Sequence, residues 1–194
     1  MSLVEELAPT LDVVDVLRRF ADLPHLLVLE SADVHPDRGR YSYVTADPVR
    51  WWMYSVADLA TCDSFAELKA VLAAHPVETI DGLPPFQGGL AGMFGYEMCH
   101  AVEKLPRPPV DEFEVPALAV GMYDWVIAFD HIQNRSWVIS QTAERMTFVR
   151  ERLKESPSPR RSTAPRLLPK ALMLGHPLRN DVTSVFSRES YLDT

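Results

Sequence analysis

Between Pro84 and Glu97 the chain reads PPFQGGLAGMFGYE, and Gly88, Gly89, Gly92 and Gly95 are four of its eight glycines. Glycine weakens a strand interior, because it loses more backbone entropy on ordering than any other residue and has no side chain to pack. Leu90, Met93, Phe94 and Tyr96 are nonetheless too apolar for a solvent-exposed loop. The stretch therefore reads as a strand from which side chains have been removed so that another layer of backbone can come close.

The same run is not a phosphate loop. A Walker A motif needs Lys-Ser/Thr after its last glycine, and Gly95 is followed by Tyr96 and Glu97. The first two glycines are adjacent, so the dinucleotide fingerprint G-x-G-x-x-G does not fit either. His25, His35, His75, His100, His131 and His176 never fall at H-x-x-x-H spacing, and Cys62 and Cys99 form neither a metal nor a disulfide pattern. His100 and Glu103 share an i, i+3 face, which is ordinarily a surface contact. No metal site and no catalytic constellation is expected in this chain.

Elements can be placed from local pattern. Thr10 is expected to cap a helix reaching about Leu23, with Leu11, Val13, Val14, Leu17 and Phe20 inward. Leu26–Leu29, Tyr41–Ala46 and Arg50–Val56 read as strands, the last with Trp51 and Met53 on one face and Trp52 and Tyr54 on the other. Ser64 and Glu67 form a capping-box pattern ahead of a helix carrying Phe65, Leu68, Val71 and Leu72. ALAVGMYDWVIAFDH reads as one long strand, or two joined at a bulge near Gly121, followed by an HIQNR turn and a hairpin return through Ser136–Ser140. Thr142 starts a last helix with Met146, Val149 and Leu153 on one stripe.

Charge divides the chain. Residues 1–155 hold 13 Lys/Arg against 24 Asp/Glu, whereas residues 156–194 hold 6 against 3. An acidic body offers no basic face to nucleic acid. The N-terminus lacks the basic and apolar regions of a signal peptide. The longest apolar stretch, 117–129, is broken by Asp124 and falls short of the roughly 20 residues a membrane span needs. A reduced cytoplasm is the expected compartment, with no membrane partner. Residues 156–183, with five prolines and scattered basic residues, have linker composition, and residues 184–194 look like the entry to a further helix at FSRESYLDT.

The order of these segments carries more than any one of them. VLES (28–31), RYSYVTADP (40–48), LPPFQGGLAGMFGYE (83–97), VEKLP (102–106), VPALAVGMYDWVIAFDH (115–131) and FSRESYLD (186–193) together resemble component I of the chorismate-utilising synthases. That family comprises para-aminobenzoate (aminodeoxychorismate) synthase and anthranilate synthase. PFQGG, the Gly-Tyr-Glu step and VG-YDW ahead of Asp-His are closer in wording to the para-aminobenzoate branch, with the anthranilate branch as the alternative.

The resemblance implies an α+β fold of layered antiparallel β-sheets flanked by helices, half of the family's αββα body, with the glycine run as a strand in its middle. It implies that residues 1–155 are the N-terminal domain and that 184–194 are the first helix of a chorismate-binding catalytic domain missing from this chain. On this basis the chain is inactive alone. Mg²⁺ belongs to the complete enzyme, and a glutamine amidotransferase subunit is the expected partner. Several family members bind tryptophan in this domain, and the matching residues here are Leu29, Glu30, Ser31, Arg40, Tyr41 and Ser42. Glu30, Ser31 and Arg40 would meet the ammonium and carboxylate, with Leu29 and Tyr41 beside the ring. Two alternatives stay open at this point: Leu29 and Tyr41 as plain core with Arg40 paired to Glu30, or a stand-alone tryptophan-binding regulatory module.

Overall fold

The computed structural model describes residues 2–31, 33–106 and 115–155. The chain divides into units of residues 1–158 and 159–194. The expected linker, the FSRESYLDT helix and the acidic segment 107–114 lie outside the described residues. Within the first unit, strands form two antiparallel sheets. One runs β1 (Leu3–Leu7), β8 (Arg135–Ser140), β7 (Trp125–Asp130), β3 (Tyr41–Thr45), β2 (Leu27–Leu29), and the other runs β4 (Arg50–Tyr54), β6 (Leu118–Tyr123), β5 (Gly89–Phe94). The helices α1 (Val13–Arg19), α2 (Ser64–Ala74) and α3 (Ala143–Lys154) complete an α+β fold. No described helix is long and apolar enough to cross a membrane.

Helices α1 and α3 cover one face of the five-stranded sheet. Val13, Val16, Phe20, Met146 and Val149 meet Val44, Trp125, Ile127, Phe129 and Val138 there. The cap of α1 is Asp12 rather than Thr10. The Asp12 carboxylate accepts from the backbone N–H groups of Val14 and Asp15, while the Thr10 hydroxyl donates to the Asn134 carbonyl at 2.8 Å. The later start rotates the buried stripe, so that Val16 is fully buried and Val14 is 44% exposed. Helix α3 begins as its sequence indicates, with Thr142 accepting from the Arg145 N–H.

Helix α2 packs on the three-stranded sheet through Leu68 and Val71, against Trp52, Leu118, Val120 and Met122. Asp63 is its cap, and Ser64 is the first helical residue. Glu67 does not reach back into a capping box because β4 offers it more. Its carboxylate accepts from Trp52 Nε1 and Arg50 at 2.8 Å each and from the Tyr54 hydroxyl. Those bonds raise the Tyr54 pKa to about 12 and hold that of Glu67 below its ordinary value.

The long apolar segment 117–131 is two strands in different sheets. The break falls at Asp124 and not at a bulge near Gly121, which stays inside β6 opposite Trp51. The chain also passes between sheets at 46–49, between β3 and β4, where Asp47 has φ +50°. Arg145 of α3 grips both crossings. Its guanidinium donates to the Asp124 carboxylate at 3.2 Å, the Asp47 carboxylate at 2.7 Å and the Asp47 carbonyl at 3.0 Å.

The glycine run forms β5, at an edge of the described three-stranded sheet. The backbone that comes close is its own neighbour, β6. A Cβ on Gly92 would lie 2.2 Å from the Ala119 carbonyl oxygen and 2.7 Å from Val120 Cα, at φ +154°.

Candidate ligand site

Strands β2 and β3 place the six expected ligand residues at one end of the five-stranded sheet. Leu29 lies opposite Tyr43 in the register. Strand alternation then puts Leu29, Tyr41 and Tyr43 on one face and Ser42 on the other. Leu29 is 41% exposed, and Glu30 and Ser31 are exposed where the chain leaves β2. Leu29 is thus not core; it forms an apolar shelf with the half-buried rings of Tyr41 and Tyr43, whose centres are 6.3 Å apart. Ser31 alone of the six also lines an open depression of about 550 Å³ formed by the β2–β3 loop, with Asp33, His35, Asp37, Arg38 and Gly39.

Arg40 does not pair with Glu30. Its guanidinium donates twice to one oxygen of Asp130, at 2.6 and 3.0 Å, and stands 5.0 Å from the Tyr41 ring centre. Asp130 closes β7 and is 3% exposed. Burial pushes its pKa up, but the Arg40 guanidinium and the backbone N–H groups of Gln133 and Ile132 outweigh that, leaving it below the ordinary value. Arg135, over the Trp137 ring at 4.8 Å, pairs with Glu6 beside this couple. The end of the sheet face therefore carries alternating charge next to flat aromatic surface, which suits a small ligand with both a ring and charged groups.

Ser42 serves the other face. It is fully buried, with its hydroxyl 2.7 Å from His131 Nε2. A serine beside a histidine has the outline of a nucleophile and its base. With no exposed surface, Ser42 cannot be reached by a substrate, and the bond ties the β7–β8 turn to β3. Sequence reasoning missed Asp130 and Tyr43. The only signal for the former was the Asp-His step that ends the YDW segment. Tyr43 looks like any strand aromatic until Phe86 meets it edge-on at 5.6 Å.

No family model matches the chain. Aminodeoxychorismate synthase component 1 of Salmonella typhimurium is 31% identical over 123 residues, covering 56% of this chain and 26% of that protein. Anthranilate synthase component 1 of Mycolicibacterium smegmatis is 30% identical over 122 residues, covering 57% of this chain and 23% of that protein. The chain is a homologue of component 1 of these synthases. Anthranilate synthase component 1 of Pseudomonas aeruginosa extends the likeness to 171 residues, 74% of the chain, at 29% identity. This component 1 homologue spans about a quarter to a third of the length of these relatives.

The Mg²⁺ implied for a complete synthase asks for six oxygens in an octahedron. Among the described residues, three His, Cys, Asp or Glu donors converge at Glu97, Cys99 and His100. A thiol and an imidazole do not suit Mg²⁺.

Proposed function

We propose that residues 1–155 are the N-terminal, non-catalytic domain of an aminodeoxychorismate synthase component 1-like protein. It would serve the synthesis of a folate precursor from chorismate in the cytoplasm. The observation that carries this is the coverage. Similarity extends over more than half of the chain but only 26% of the Salmonella relative. The described residues agree with a supporting role, since their polar side chains tie elements together and the Ser42 hydroxyl beside His131 is buried. Chorismate-aminating chemistry and its Mg²⁺ would then reside in a separate domain or polypeptide, with ammonia from a glutamine amidotransferase subunit. The relatives' name, component 1, agrees with such a partner.

Exposed apolar side chains fit a domain that leans on something larger. Met53 is 62% exposed, Phe94 53%, Tyr96 90% and Val102 76%. The test is reconstitution. The chain is produced with the portion of the Salmonella relative outside the aligned segment, and chorismate and ammonium are supplied. Aminodeoxychorismate should form only when both pieces are present. Anthranilate as the product would move the chain to the tryptophan branch, and no product from the pair would contradict the assignment.

A second reading rests on the shelf of Leu29, Tyr41 and Tyr43 beside the Arg40–Asp130 pair: a site for the ring and charged end of tryptophan. Titration calorimetry should show tryptophan binding that Tyr41→Ala weakens. No heat at millimolar tryptophan removes the site.

A further inference from the structure

The short 3₁₀ segment Tyr96–Ala101, which follows the glycine strand, contains the convergence of donors named above. One ligand atom from each of Glu97, Cys99 and His100 lies within 4.8 Å of the others. His100 Nε2 stands 3.0 Å from Glu97 Oε2, and the histidine side chain is only 10% exposed. The backbone beneath them is pinned at both ends and in the middle. Gly95 N–H donates to the Ala117 carbonyl at 2.8 Å, while Val102 and Glu103 both donate to the Cys99 carbonyl. Met98 is 7% exposed in the core under α2. The three donors project from a turn whose shape is already set, so little ordering is left for a ligand to supply.

We infer that Glu97, Cys99 and His100 form a binding site for a borderline-soft divalent metal of the zinc class. Carboxylate, thiolate and imidazole are the donors such an ion takes, at about 2.0–2.3 Å. A tetrahedral ion at that range needs its ligands a little over 3 Å apart, and the present donors, within 4.8 Å of one another, stand close to that spacing. Three protein ligands leave a fourth position for water or another group. Binding releases the Cys99 proton to solvent as the thiolate–metal bond forms. The E-x-C-H spacing falls outside the familiar paired motifs, which is why sequence spacing alone passed over it.

Cobalt(II) titrated into the full chain, in a thiol-free reducing buffer, provides the test. A thiolate-to-cobalt absorption band in the near ultraviolet should rise, saturate at one equivalent and disappear on adding zinc. Cys99→Ser should abolish the band, whereas Cys62→Ser should keep it, because the Cys62 thiol points to the Asp58 carbonyl at 3.1 Å. Glu97→Gln, at a partly exposed position that folding tolerates, should weaken binding by about tenfold or more while leaving the melting temperature without metal unchanged. No band in the parent chain, a band that survives Cys99→Ser, or one lost on Cys62→Ser overturns the site.

Discussion

At Gly92 the backbone has φ +154° and the neighbouring strand stands where a side chain would be. A valine there must displace the Ala119–Val120 backbone, at the centre of the β5–β6 pairing. Gly92→Val should therefore abolish soluble expression, and Gly92→Ala should cost about 3 kcal/mol in a denaturant melt. A well-folded valine variant of unchanged stability would contradict the packing role. Asp130 makes a pH-dependent prediction. Its pKa in the folded chain is depressed, so its contribution is present above the unfolded value of about 3.9 and is lost as pH falls below that. Asp130→Asn should lower stability at pH 7 by about 1–3 kcal/mol and flatten the decline below about pH 4. Melts at pH 7, 5 and 3 measure both effects, and parallel curves for the two proteins would sink the assignment.

Among elements, what was legible in the sequence is what is decided locally. Helix α3 carries its cap at Thr142 and its stripe at Met146, Val149 and Leu153 within a dozen residues. The β7–β8 hairpin brackets a turn in which Asn134 takes φ +52°. The division of 117–131 between two sheets was not legible. Residues on both sides of Asp124 are buried on both faces, so hydrophobic periodicity shows no break there. What stops the strand is an ion pair with Arg145, 21 residues on. Strand β1 was missed for the same reason, since Leu3–Leu7 is defined by pairing with Arg135–Ser140 at the far end of the domain. The candidate site followed suit: its two hairpin segments were readable, but Arg40 finds Asp130 across 90 residues. Arg145 is the element-level test. Arg145→Gln leaves the Asp124 carboxylate, 15% exposed, without its cation and frees both crossings together. We expect a loss of about 3 kcal/mol, larger than for Asp47→Asn alone, by chemical denaturation. Equal effects would mean that only one crossing is held.

At the largest scale that the described residues show, polar side chains join the two sheets and their helices. Glu67 joins α2 to β4, Arg145 joins α3 to both crossings, and Ser42 ties β3 to His131 of the β7–β8 turn. Among the described residues, Leu29 on the candidate ligand face and Phe94 at the end of β5 are exposed. In the proposed function this component 1 homologue supports chorismate chemistry without performing it. The direct measurement is chorismate consumption by the isolated full chain, supplied with ammonium and Mg²⁺ and followed by chromatography. No loss of chorismate beyond a protein-free control is expected. Conversion to an aminated product by this chain alone would contradict it.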